Sequence, residues 1–192
     1  MKLTDPKQFY ENYRADNIID ELDIHLVDTL LSFNPKSAFE FGSGAGKNLQ
    51  LLKSHDKDIE TCGLDISIIN VMQSHLNGVD CVIRGDERHI PLRKFDVVFT
   101  CSVLDHIKDI YNIIGAFQAM TNKAIVLAET NSFKDNFYYK HNYEEYGFEK
   151  LDYRYTSTDD GGIYEIWVYK TPKYLESVAP VEFDDLHNAG IC

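Results

Sequence analysis

The chain has 192 residues, 44% hydrophobic and 26% charged, with 31 acidic against 19 basic side chains and a net charge of −12. Such a composition belongs to a globular protein with room for one α/β domain, and a chain of this length needs no disulfide or metal for stability. The acidic balance repels phosphate backbones and argues against nucleic acid as a partner. Apolar runs such as Val97-Val98-Phe99 are too short to span a bilayer, so no membrane partner is expected. The first residues carry no apolar signal core, and cytoplasm is the expected location.

Residues 7–33 read as an N-terminal helical segment, with apolar side chains mostly three and four apart, ended by Asn34-Pro35. A strand over 37–41 follows, then a glycine loop and a helix through Leu49, Leu51 and Leu52. The alternation continues with a strand over 59–64 ending at Asp65, a helix over 68–76, and a strand over 79–83 ending at Gly85-Asp86. A fourth strand over 95–100 leads to a helix from about 107 to 120 and a fifth strand over 124–128. Strands alternating with helices predict βαβ units and a parallel sheet. Residues 148–155 and 163–169 break the pattern: they are rich in aromatic and β-branched residues and flank a Gly-Gly turn, which predicts an antiparallel hairpin. Beyond Lys170 no element is predicted, and 171–192 reads as a tail or appendage to a domain over 1–170.

Cys62, Cys81, Cys101 and Cys192 form no Cys-x-x-Cys pair, and the histidines show no ligand spacing, so no metal site is expected.

The loop Glu40-Phe41-Gly42-Ser43-Gly44-Ala45-Gly46 sits between strand and helix, where ligands in α/β proteins bind. A Walker loop is excluded, because Phe41 stands at its first glycine position and Asn48 at its hydroxyl position. A dinucleotide fingerprint is excluded because the third glycine comes one residue early. Glycine at 42 and 44 allows a sharp turn and close backbone approach to a ligand.

The remaining pattern, acidic-x-Gly-x-Gly-x-Gly, resembles the class I S-adenosylmethionine-dependent methyltransferases. The resemblance covers residues 37–130. It implies a Rossmann-like, doubly wound α/β sheet of seven strands, five parallel plus the C-terminal antiparallel hairpin. It also implies S-adenosyl-L-methionine as cofactor. Loop amides at Gly42, Gly44 and Gly46 would meet its carboxylate, and Glu40 its ammonium. Asp65, with Ile66 beside it, would take the ribose hydroxyls, and Asp86 the adenine amine. A carbonyl near Cys101 would face the methionine moiety. Tyr13 and Tyr10 of the N-terminal helical segment either close over the cofactor or belong to the core.

Methyl transfer to oxygen or nitrogen calls for alignment and for removal of a proton. His106, just after the fourth strand, and His141, in an aromatic segment with Tyr139, are the candidate bases, with Glu129 a third. The segment 131–146 is expected to wall the acceptor pocket with His141 facing inward. The stretch 128–148 also resembles small bacterial methyltransferases of surface-sugar biosynthesis. The expected substrate is a small molecule, a sugar or other metabolite bearing a hydroxyl or amine. A protein or RNA acceptor, or a non-catalytic partner subunit, are the rival readings.

Overall fold

The computed structural model describes residues 6–11, 13–130, 138–157 and 161–178. Two helices, α1 (Pro6–Glu11) and α2 (Glu21–Leu31), precede β1 (Ser37–Phe41), α3 (Lys47–His55), β2 (Glu60–Asp65), α4 (Ile68–Leu76) and β3 (Cys81–Arg84). Then come β4 (Phe95–Cys101), a 3₁₀ turn at Leu104–His106, α5 (Tyr111–Met120), β5 (Thr121–Thr130), β6 (Glu149–Thr156), β7 (Ile163–Lys170) and α6 (Pro172–Val178). All seven strands join one sheet in the order β3-β2-β1-β4-β5-β7-β6. The first five are parallel, and β7 runs antiparallel to both β5 and β6. The seven-stranded Rossmann-like sheet read from the sequence is the observed one.

The strands bury both faces, as βαβ crossovers require. In β5, Ala124, Val126 and Ala128 join the core layer holding Leu26, Leu30, Leu49 and Leu52, from α2 and α3. Ile125 and Leu127 join the opposite layer, with Ile113 and Phe117 of α5. In β4 a register shift between Phe95 and Val97 lets these two residues, two apart, reach opposite layers.

Two expectations are corrected. The helical reading of 7–33 is broken, because residues 13–20 are not helical. The apolar spacing continues through them, but Asp20 caps α2, accepting from the Asp23 amide and donating its own amide to Asp23 Oδ2, both at 3.0 Å. A short acid that satisfies the free amides of a first turn starts a helix rather than sitting inside one. The second correction is α6, predicted as structureless: Pro172 opens it, Thr171 Oγ1 accepts from the Tyr174 amide at 3.2 Å, and Tyr174 packs on Phe33 at 5.5 Å. Residues 179–192 lie outside the described residues.

The order places β1 beside β4 at the centre, with α3 and α5 leaving them to opposite faces of the sheet. At such a reversal the two loops part at the carboxyl ends of the strands and open a crevice.

Candidate active site

A cavity of about 660 Å³ fills this crevice. One wall is the loop from β1. The Gly42 and Ser43 amides both donate to the Leu64 carbonyl, at 2.7 and 2.9 Å, which pins the loop to the end of β2. Gly42 and Gly46 hold φ of +74° and +83°. A Cβ on Gly42 would stand 2.3 Å from Val103 Cγ2, and one on Gly46 would stand 2.6 Å from Ser74 Oγ. Conformation and space both demand glycine there.

Asp65 lines the cavity from the end of β2. Its Oδ2 accepts the Gly44 amide at 2.8 Å, and its Oδ1 accepts the Ser67 amide at 2.8 Å and the Asn70 side-chain amide at 3.2 Å. Burial pushes its carboxyl upward, against the pull of those three donors. Ser67, not Asp65, caps α4. Asp65 therefore clamps the glycine loop, and because a carboxylate has about four acceptor positions, it keeps capacity for a ligand. Gly44's amide, expected to meet a ligand carboxylate, is engaged by Asp65 in this structure. Ile66 lines the cavity beside it.

Glu40, near the end of β1, is only 2% exposed. Asn48 donates to its Oε1 at 2.8 Å, while Oε2 is buried without a partner. Burial pushes the carboxyl up to about 8, with Asp23 and Asp65 adding to the rise and Asn48 and Lys47 opposing it. Lys47 also lines the cavity, but its ammonium sits 2.7 Å from Asp23 Oδ2. A buried carboxyl with an orphaned oxygen beside a crevice is a place for an incoming cation.

Asp86 lines the cavity past β3, its carboxylate held by Arg88 Nη2 at 2.6 Å, Lys7 Nζ at 2.5 Å and His89 Nδ1 at 3.0 Å. These partners hold its pKa far below the usual carboxylate range. Cys101 and Ser102 form the β4 side of the cavity; burial pushes the Cys101 thiol up, so it packs as a neutral group. Ser102 adopts φ +56° as the chain turns away from the sheet. Strain of this kind gathers where a loop is held in one shape for a ligand.

The outer end carries the candidate bases. His106 lines the cavity, its Nε2 2.8 Å from the Tyr10 hydroxyl and 3.6 Å from Asp105 Oδ1. The rings of Tyr10 and Tyr138 lie on it, each with its centroid 4.7 Å away. Tyr13, 42% exposed, and Tyr139 line the same end.

The inward-facing His141 is corrected. Its Nε2 meets the Leu104 carbonyl at 2.9 Å, and its ring borders a separate shallow hollow with Lys150 and Trp167. Residues 131–137 of the expected wall lie outside the described residues. Glu129 is corrected as well: it is 1% exposed and does not line the cavity. Its carboxylate accepts the Val103, Leu104 and Asp105 amides at 3.0, 3.1 and 3.4 Å and the Thr100 hydroxyl at 3.3 Å. Burial and neighbouring Asp105 push its carboxyl up, against those amides. It shapes the turn that presents His106.

The sequence reading missed Asn48 and Asn70, whose contacts cross between elements. It also missed Gly63 in β2, where a Cβ would stand 2.5 Å from Ser43 Oγ. Glycine inside a strand was the available signal, since it marks a close backbone approach. Among the described residues no group of metal-ligating side chains occurs, and no helix is long and apolar enough to cross a membrane.

A family model described as a methyltransferase domain matches residues 10–158. No curated protein matches the chain at a significant level. Among solved structures, the methyltransferase domain of bacterial CtHen1 is similar over 78% of this chain and 97% of its own, at 17% identity and a TM-score of 0.56. The Burkholderia thailandensis 1,6-didemethyltoxoflavin-N1-methyltransferase, solved with its substrate and S-adenosylhomocysteine, is similar over 79% of this chain and 78% of its own, at 12% identity and TM-score 0.61. The plantazolicin methyltransferase BpumL, solved with a triazolic desmethylPZN analogue and SAH, is similar over 79% of this chain and 86% of its own, at 11% identity and TM-score 0.61. At these identities the likeness is one of fold, and it agrees with the family match and the glycine loop: the chain belongs to the class I S-adenosylmethionine-dependent methyltransferases.

Proposed function

We propose that this chain binds S-adenosyl-L-methionine in the β1–β4 crevice and transfers its methyl group to a hydroxyl or amine of a small molecule. The observation that carries the reading is the presence, in the lining of one cavity, of Glu40 with its orphaned Oε2 and of an imidazole, His106. The cofactor supplies a methyl group already activated on a sulfonium. Gly42 and Gly44 give it room, Glu40 takes its ammonium, and Asp65, already holding the loop, takes its ribose. The chain's own part is then alignment, exclusion of water and acceptance of the acceptor's proton at His106. A small acceptor is supported by the aromatic side chains Tyr10, Tyr13 and Tyr139 that line the cavity with His106, and by a net charge of −12 that disfavours RNA.

Calorimetry with S-adenosylhomocysteine and with NAD, followed by release of that product from S-adenosylmethionine in metabolite pools, tests the reading. Binding of the sulfur ligand and not of NAD is expected. NAD binding without a response to the sulfur ligand would falsify it.

A further inference from the structure

Two of the free cysteines are far apart in the chain but opposite one another in the sheet. The parallel register pairs Cys62 of β2 with Cys81 of β3. In-register side chains on neighbouring strands leave the same face, and both thiols meet the core layer on the α5 side. The Cys81 side chain interacts directly with the Cys62 thiol, as does the Arg93 guanidinium. Arg93 is itself fixed, with Nη1 2.6 Å from Glu60 Oε1 and its guanidinium carbon 4.2 Å above the Phe95 ring.

We propose that Cys62 and Cys81 form a reversible thiol–disulfide site, closed by exchange with a small-molecule disulfide, which staples the edge strand β3 to β2 beside the cavity.

Buried thiols often serve only as small apolar groups. Three observations set this pair apart. The first is reach. Neighbouring strands run about 4.7–4.9 Å apart, inside the range of about 4.4–6.8 Å that a disulfide spans between Cα atoms. The second is an asymmetry that orders the chemistry. Cys62 is fully buried, whereas Cys81 is half-buried and open to a small reagent. Burial pushes the Cys62 thiol up to about 12, with Cys81 adding to the rise and Arg93 opposing it. Cys81 therefore attacks first, and the Arg93 cation favours the thiolate that follows it. The third is position. β3 has four residues and pairs only with β2. Just beyond it the Gly85 amide donates to the Asp65 carbonyl at 3.0 Å, and Asp65, Gly85 and Asp86 all line the cavity. A bond between Cys62 and Cys81 fixes the two strands that present that wall.

The exchange balances without a further oxidant. Cys81, deprotonated, attacks one sulfur of the small disulfide and expels the other as a thiolate, which takes up the proton. Cys62 then loses its proton, attacks the Cys81 sulfur and expels the second small thiolate, which is protonated in turn. Two protein thiols and one small disulfide become one protein disulfide and two small thiols.

The test uses oxidised glutathione on the folded full-length protein, followed by alkylation of the remaining thiols, trypsin and mass spectrometry. Trypsin leaves both cysteines in one peptide, 58–84, while Cys101 and Cys192 fall in others. That peptide should return two hydrogens lighter and unalkylated, and dithiothreitol should restore alkylation at both sites. The thermal midpoint of the oxidised protein should rise by about 6–12 °C, the effect of closing a loop of roughly 20 residues. Cys62→Ala should stop at a glutathione adduct on Cys81, and Cys81→Ala should take up none at the buried Cys62. The wild-type measurements decide the matter even if a variant folds poorly. A peptide alkylated at both cysteines, a disulfide that forms only in urea, or an oxidised midpoint at or below the reduced one overturns the site. An adduct on Cys62 in Cys81→Ala overturns the order of attack.

Discussion

Asn48 reaches back from the first turn of α3 to donate to Glu40 Oε1 at 2.8 Å, and so orients the other carboxyl oxygen, Oε2, into a position with no partner. Burial then holds Glu40 at about 8, above the ordinary glutamate value. A folded-state pKa raised above the unfolded one means that the folded protein retains a proton the unfolded chain gives up. This contribution to stability is fully present below about pH 4.5 and is lost as pH rises through about 8. The unliganded protein should therefore lose stability over that window, by an amount on the order of 3–5 kcal/mol at most. Glu40→Gln should flatten the profile in denaturant titrations. An ammonium ligand favours the ionised form, so binding expels the proton. Near pH 7, calorimetry of S-adenosylhomocysteine in buffers of different ionisation enthalpy should count up to one proton released per ligand. The count should fall to zero in Glu40→Gln; an unaltered count there would assign the proton to another group.

Asp65 is both a cavity wall and the clamp on the loop, so its removal should do two things. Asp65→Ala abandons the buried Gly44 and Ser67 amides, which costs about 2–4 kcal/mol of stability by the usual penalty for unpaired buried donors. Cofactor affinity should fall by a further 1–3 kcal/mol or so if the ribose hydroxyls are its ligands. Urea titration and calorimetry separate the two losses. A stability loss with an unchanged dissociation constant would leave Asp65 as a clamp only.

Much of this arrangement is legible in the sequence, and the parts that are not have identifiable reasons. Local pattern placed all seven strands and put Glu40, Gly42 and Asp65 at strand ends, because strand–helix alternation implies parallel βαβ units and ligands gather where the strands end. What failed depended on partners distant in sequence. Tyr10 meets His106 across 96 residues, and His141 meets Leu104 across 37. Nothing local says that one imidazole will face the crevice and the other a backbone carbonyl. Asp20 and Asp23 were within reach of a local reading, but the run of apolar residues on either side of the cap concealed it.

Glu129 should behave as a structural acid. It holds three successive amides, at Val103, Leu104 and Asp105, in the turn that carries His106. Glu129→Ala should cost about 2–4 kcal/mol, as buried hydrogen-bonded carboxylates do when lost. Glu129→Gln keeps one acceptor oxygen and should cost less. Thermal denaturation of both variants checks the order. A fully stable Glu129→Ala protein that fails only in turnover would instead return Glu129 to the list of bases.

The two halves of the crevice should be coupled through Gly42 and Val103. Gly42 lies in the loop from β1 at φ +74°, and Val103 lies in the loop from β4. A Cβ at 42 would approach Val103 Cγ2 to 2.3 Å and Cγ1 to 2.9 Å, distances that require something to move. Gly42→Ala thus carries two costs: about 1 kcal/mol for a left-handed alanine, and a packing clash of about 1–3 kcal/mol. Only the second depends on Val103. Val103→Ala alone should be mildly destabilising, through lost packing against the core layer of α5. Combined with Gly42→Ala it should recover part of the loss, giving a favourable coupling of about 0.5–2 kcal/mol in a double-mutant cycle. The left-handed cost should persist in the double variant, which therefore stays below the parent protein. Strict additivity would mean that the loop yields by moving away from β4, and S-adenosylhomocysteine affinity would then fall in Gly42→Ala without recovering in the double variant.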